Sequence, residues 1–354
     1  MGAVSLVQYM VLLVGALLAG CTSFHTNPIV DAQGRTLPRS VASLERIKLG
    51  GVDQWILIRG ADIDKPLLLK LHGGPGAAEM ATVGMNSLLE RDFIVVEWDQ
   101  RGAGKSADSI EPRNAMTIDQ LVADTNELAQ LLLKRFNRKT LILVGHSWGS
   151  IIGLKAVRQA PQLYRAFVST GQMVNFAEGQ QLTYRHLLEE VGRRNDGDER
   201  PRLEKIGPPP YIGDAGAARR EEFIKSLETS GGYWRSEKKF DRIGWMMSSV
   251  EYAWPEKLRY PRAAEQSFEL FLPQLLKVDM IKSVPAVAVP VFFAVGRHDW
   301  MAPVSLTQAY FATLVAPRKE LIWFEQSAHF PQWEEVEKFH ALLTQKVLPA
   351  TAGN

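Results

Sequence analysis

The chain has 354 residues, 46% hydrophobic and 23% charged, with a formal net charge of +2. That length and apolar content support a full buried core, which excludes a disordered chain and a mini-domain stapled by disulfides or metal. Near-neutral charge without a Lys/Arg block excludes a nucleic-acid-binding surface.

Residues 3–20 carry no charge, are mostly apolar, and end in Leu18-Ala19-Gly20-Cys21. Small residues before a cysteine suit a signal peptidase, and the segment resembles the lipobox of bacterial lipoprotein precursors. The expectation is a signal peptide over residues 1–20, lipidation at Cys21, and a membrane-anchored body facing the periplasm or cell exterior. No Lys or Arg precedes the apolar run, a departure from the usual leader. Cys21 is the only cysteine, so no disulfide can form within the chain. Residues 21–40, rich in Thr, Ser, Asn, Pro and Gly, read as a tether.

From Val41 onward, short apolar runs alternate with helical patterns, the signature of an α/β fold with a mostly parallel sheet. Residues 44–49 and 55–58 read as a hairpin around Gly50-Gly51. Residues 66–71 and 93–98 read as buried strands. Thr117-Ile-Asp-Gln120 is a capping-box sequence. After it, Leu121, Val122, Leu128, Leu132 and Phe136 recur at helical spacing. Residues 141–144 and 166–169 are further strands. The alternation then stops. Residues 172–285, rich in charge, proline and aromatics, read as a helical cap inserted after the sixth core strand. The core therefore comprises residues 41–171 and 286–350. Strands at 291–295 and 321–324 and helices at 305–315 and 334–347 complete it.

The chemistry sits at the ends of these strands. His72-Gly73-Gly74-Pro75-Gly76 follows the third strand. Its glycines let backbone approach a substrate, so Gly73, or failing it Gly74, is the expected oxyanion donor. Asp99-Gln100-Arg101-Gly102 follows the fourth strand, where Asp99 and Arg101 are expected to pair and fix the oxyanion loop. Gly145-His146-Ser147-Trp148-Gly149 joins the fifth strand to a helix. This is the G-x-S-x-G elbow, which makes Ser147 the nucleophile and the Trp148 amide the second oxyanion donor. A serine needs a base, and the base needs an orienting acid, in the chain order Ser, acid, His. Asp299 follows the seventh strand and His329 the eighth. His298 is the rival base. No metal-ligand cluster or cofactor motif stands out, so no cofactor is expected.

His72-Gly-Gly-Pro-Gly76, Asp99-Gln-Arg-Gly-x-Gly-x-Ser106, Gly145-x-Ser-Trp-Gly-Ser150, Gly296-Arg-x-Asp299 and Ala328-His329 together resemble the proline iminopeptidase (prolyl aminopeptidase) branch of the α/β-hydrolase superfamily. The resemblance spans roughly residues 45–345 and is weakest in the cap. It implies the α/β-hydrolase fold, a Ser147–Asp299–His329 triad, and acyl transfer to water from a small-molecule or short-peptide substrate. It also implies cap carboxylates for the substrate amine, and Glu189, Glu190, Glu251 and Glu265 are available. His146 and Phe330 depart from the branch's usual Gly and Ser. A carboxylesterase or lactonase remains the alternative within the hydrolases, and a membrane-anchored binding protein that has lost turnover the alternative outside them.

Overall fold

The structure, a computed structural model, describes residues 24–194, 199–237 and 240–351. The leader and Cys21 lie outside the described residues. Among the described residues no helix is long and apolar enough to cross a membrane.

The expected hairpin forms β1 (Val41–Leu49) and β2 (Val52–Gly60), and Gly50 and Gly51 make its turn at φ +55° and +80°. The buried runs become β3 (Leu67–Leu71), β4 (Ile94–Asp99), β5 (Leu141–His146), β6 (Tyr164–Thr170) and β7 (Val291–Gly296), and β8 is Lys319–Phe324. One eight-stranded sheet has the order β1-β2-β4-β3-β5-β6-β7-β8. β1/β2 and β2/β4 are antiparallel and every other pair is parallel. The inner strands are mostly apolar because helices cover both faces of the sheet, and Lys70 on β3 and Glu97 on β4 are buried as an ion pair. Side chains such as Leu69, Val96, Leu143 and Phe167 are fully buried. Parallel order also aligns the carboxyl ends of β3 through β8 along one edge, where an open α/β sheet binds ligands.

The helix Ile118–Arg135 begins as its sequence requires, with Thr117 Oγ1 accepting the Gln120 amide at 3.0 Å. The second half of the capping box is absent: Gln120 Nε2 donates instead to Asp124 at 2.7 Å. The last predicted helix is broken. Glu335, at φ −127°, separates Pro331–Glu334 from Val336–Ala341, and a wide π-type turn covers Leu342–Val347. The Glu335 side chain accepts the Gln326 amide and the Ser327 hydroxyl, so it anchors the loop after β8 rather than continuing a helix.

Helices Phe176–Arg194, Glu199–Ile206, Gly216–Thr229, Arg242–Ser248 and Trp254–Leu275 form the insertion between β6 and β7. It is fastened to the core by buried polar contacts. Tyr252 Oη donates to Asp99 Oδ2 at 2.7 Å, and Lys105 Nζ meets Glu256 at 2.8 Å with no side-chain exposure at the lysine. The segment read as a tether is packed from its first described residue. Phe24 lies edge-on to Trp55 at 5.1 Å and under the Lys105 ammonium at 3.7 Å. Thr26 Oγ1 accepts from Arg59 Nη1 at 2.8 Å.

Candidate active site

Ser147 joins the end of β5 to the helix Trp148–Gln159, with φ +52° and ψ −115°. A non-glycine residue at positive φ is strained, and here the strain raises the side chain above the sheet edge. Close packing around the elbow holds it there. A Cβ on Gly149 would lie 2.2 Å from the Leu71 carbonyl oxygen, and one on Gly145 would lie 2.5 Å from the Gly149 carbonyl oxygen. The Ser147 amide donates to Thr170 O at 2.9 Å, tying the elbow to β6. Ser150 Oγ donates to Ser147 O at 2.6 Å and accepts the Met173 amide at 3.0 Å, linking elbow and cap.

Asp299 and His329 come together from loops 30 residues apart in sequence, with His329 Nδ1 2.9 Å from Asp299 Oδ2. Asp299 Oδ1 accepts the Ala302 amide at 2.8 Å, so both its oxygens are engaged. The geometry assigns the Nδ1–H tautomer, leaving Nε2 as the basic nitrogen. Ser147 and His329 both line one cavity of about 570 Å³. His298, the rival base, is not among its lining residues.

Two supports of the His329 loop carry no recognisable sequence pattern. Glu334 Oε1 accepts the Ala328 and Phe330 amides at 3.0 and 3.1 Å, clamping the backbone on either side of His329. Gly171, at φ +55° after β6, has room for no side chain: a Cβ would lie 2.7 Å from His329 Cε1.

The oxyanion loop departs from expectation. The Gly73 amide donates to Glu79 Oε1 at 3.0 Å, so it does not serve as the free donor. The next amide in the loop is that of Gly74, at φ +117°. Gly74 lines the cavity beside Ser147, and Trp148 opens the helix that follows Ser147, where first-turn amides have no partner within the helix. Glu79 Oε1 also lies 2.7 Å from His146 Nδ1, and His146 Nε2 approaches the His329 carbonyl at 3.3 Å. Burial drives the Glu79 carboxyl upward, but His146, Lys70 and the Gly73 amide outweigh it and hold it at about 2. Burial lowers His146, against the pull of Glu79, which acts both as a nearby charge and through the Nδ1 hydrogen bond.

His72 is neutral, pushed down to about 4 by burial. Its Nδ1–H donates to Gly73 O at 2.7 Å and its Nε2 accepts the Gln100 amide at 3.1 Å. Gln100 Oε1 in turn accepts Trp148 Nε1–H at 3.1 Å, joining the oxyanion loop to the elbow. The expected Asp99–Arg101 pair does not form. Arg101 is bound to Asp124 at 3.0 Å in full burial, because Asp124 lies under the hairpin turn where Gln54 also reaches it. Asp99 accepts the Lys105 amide and the Tyr252 hydroxyl, each at 2.7 Å, and burial lifts its carboxyl to about 7.

Of the four cap carboxylates, only Glu265 lines the cavity. Glu189 is exposed, Glu190 pairs with Arg193 and Arg194, and Glu251 is tied to Ser249 and Thr26. The rest of the wall is largely apolar, including Met173, Phe176, Phe223, Phe268 and Met301.

A family profile described as the alpha/beta hydrolase fold matches residues 66–336. The chain is 32% identical over 308 residues to a probable aminopeptidase, YbaC, of Bacillus subtilis, covering 87% of this chain and 96% of that protein. It is 24% identical to a proline iminopeptidase of Heyndrickxia coagulans, covering 78% and 88% of the two chains. Among solved structures, the proline iminopeptidase of Mycobacterium smegmatis superposes with a TM-score of 0.62 at 17% identity, over 88% of this chain and 99% of that one.

Proposed function

The chain belongs to the alpha/beta hydrolase fold family, and from that premise we propose that it is a serine hydrolase of the aminopeptidase kind, cleaving a short peptide or amide through an acyl-enzyme. The observation that carries the reading is a strained Ser147 sharing a cavity with a His329 whose Nδ1 is held by Asp299. In this mechanism Ser147 Oγ attacks the scissile carbonyl carbon while His329 Nε2 takes its proton. Asp299 keeps the imidazole oriented and stabilises the imidazolium that forms. The carbonyl oxygen, now negative, is held by the Gly74 and Trp148 amides. The imidazolium returns its proton to the leaving amine. Water, deprotonated by His329, then releases the acyl group and restores Ser147.

The similarity to named aminopeptidases favours a substrate with a free amine, and Glu265 is the carboxylate placed to meet it. An esterase reading rests on the apolar remainder of the wall. A panel of prolyl and alanyl anilides, their amine-blocked counterparts and short-chain aryl esters separates the two. Cleavage that requires the free amine supports the aminopeptidase; equal cleavage of blocked substrates, or ester cleavage alone, supports the esterase.

Export with lipid attachment at Cys21 belongs to the same proposal, on the strength of the Leu18–Cys21 sequence. Labelled fatty acid should enter the wild-type chain in cells and not Cys21→Ser; equal incorporation in both would remove the assignment.

A further inference from the structure

The cavity wall carries charge at Arg220 and Glu265, at Glu221 and at Arg242, and these differ in how the charge is met. Where Arg220 meets the wall, its guanidinium bonds two carboxylates, Glu265 and Glu269, and lies over the Phe268 ring at 4.6 Å. One cation between two anions leaves that place negative. Glu221 also lines the cavity, but Lys225 pairs with it at 2.9 Å.

Arg242 is the other case. It opens the cap helix Arg242–Ser248, lines the same cavity as Ser147, and is in no ion pair among the described residues. The adjacent Asp241 does not neutralise it, because the Asp241 carboxylate caps the helix by accepting the Gly244 amide at 2.8 Å. Its guanidinium is hydrogen-bonded to Tyr260, and its charge is felt by the Tyr233 and Tyr260 hydroxyls and, without an ion pair, by the Glu79 and Glu228 carboxylates. Glu79 is already engaged by His146 and the Gly73 amide. The ring of Phe240, 5.4 Å from the guanidinium carbon, supports the cation without neutralising it. A half-buried arginine in an apolar cavity has lost part of its hydration and lacks the carboxylate that would replace it. A planar guanidinium in that condition is a bidentate receptor for a carboxylate.

We propose that Arg242 anchors the substrate's carboxylate, and that the substrate is a free short peptide held with its C-terminal carboxylate on Arg242 and its amine towards Glu265. The inference rests on the aminopeptidase reading for the amine and goes beyond it for the other end. A free di- or tripeptide is a zwitterion, and the wall offers one surplus of each sign. Long chains and C-terminally blocked peptides lack the group that Arg242 would receive.

The test uses the full chain carrying Ser147→Ala, so that binding is measured without turnover. Affinities for Pro-Ala and Ala-Ala are compared by calorimetry with those for their C-terminal amides. The free peptides should bind about tenfold more tightly, the scale of one charge-assisted contact. Adding Arg242→Gln should bring the ratio near one, and Arg242→Lys should retain part of it. Equal affinity for free and amidated peptides, no binding of either, or a preference that persists in Arg242→Gln would each overturn the anchor. The first comparison leaves Arg242 untouched, so the proposal stays testable if the arginine variants fold poorly. Should the preference hold while wild-type protein cleaves none of these peptides, the aminopeptidase reading falls and the anchor stands.

Discussion

Oε1 of Glu79 takes both the Gly73 amide and the His146 ring, so one buried carboxylate sets the oxyanion loop against the elbow. Replacing Glu79 by Gln keeps an acceptor and removes the charge. We expect kcat to fall by roughly tenfold or more with a smaller change in KM, because small displacements of an oxyanion donor are costly in the transition state. Unchanged kcat in a folded Glu79→Gln protein would remove Glu79 from the site. His72 makes a prediction about stability. Its ordinary value of 6.5 falls to about 4 in the folded state, so the unfolded chain binds a proton first as pH drops. The neutral ring's contribution is therefore complete above about pH 6.5 and is lost progressively down to pH 4, about 3 kcal/mol in all. Asp99, lifted to about 7 by burial, acts in the opposite sense over much of that range. The difference between wild type and His72→Gln isolates the histidine: chemical denaturation at pH 7 and pH 4.5 should show a smaller loss in the variant.

At the scale of elements, the strand–turn–helix around Ser147 and the strands that precede the Asp299 and His329 loops were legible in the sequence, because each loop follows an apolar run. The partners of those residues were not. Asp99 and Arg101 are two apart and opposite in charge, yet Arg101 goes to Asp124, a residue on another helix that no local pattern connects to it. Gly73 looked like the better donor until folding brought Glu79 under it. Gly171 and Glu334 act only through tertiary contact with the His329 loop. Gly171→Ala tests such a contact. The added methyl should press on the imidazole and cost about 1 kcal/mol in backbone strain at positive φ. Steady-state kinetics should show kcat reduced at least tenfold with the protein still folded, whereas wild-type kcat would mean that the ring has room to move. Gly149→Ala meets rigid backbone instead, at 2.2 Å from Leu71 O, and should prevent the elbow from folding, seen as loss of the cooperative melt.

Over the whole molecule, the insertion forms one wall of the cavity that holds Ser147 and His329, and buried polar contacts lock it to the core. Lys105 is central: its ammonium, fully buried, meets Glu256 and the Glu251 carbonyl, with Phe24 and Trp55 rings above it. Glu256→Gln leaves that ammonium without its counter-charge, which costs roughly 3–5 kcal/mol for a buried pair broken on one side. Hydrogen exchange should then rise across the helix Trp254–Leu275, and KM should rise with it. Protection equal to wild type would show that the cap is held by other contacts. A helical insertion between β6 and β7 was readable as a break in the strand–helix alternation, but its wall chemistry was not, since nothing local separates Glu265 from Glu189 or Glu190. The central claim is that Ser147 is the nucleophile of this chamber. It is tested most directly by treating the folded protein with a fluorophosphonate and locating the adduct by peptide mass spectrometry. The account predicts a single adduct on Ser147, absent from Ser147→Ala and strongly slowed in His329→Ala. Undiminished labelling of Ser147→Ala, or an adduct on another residue, would contradict it.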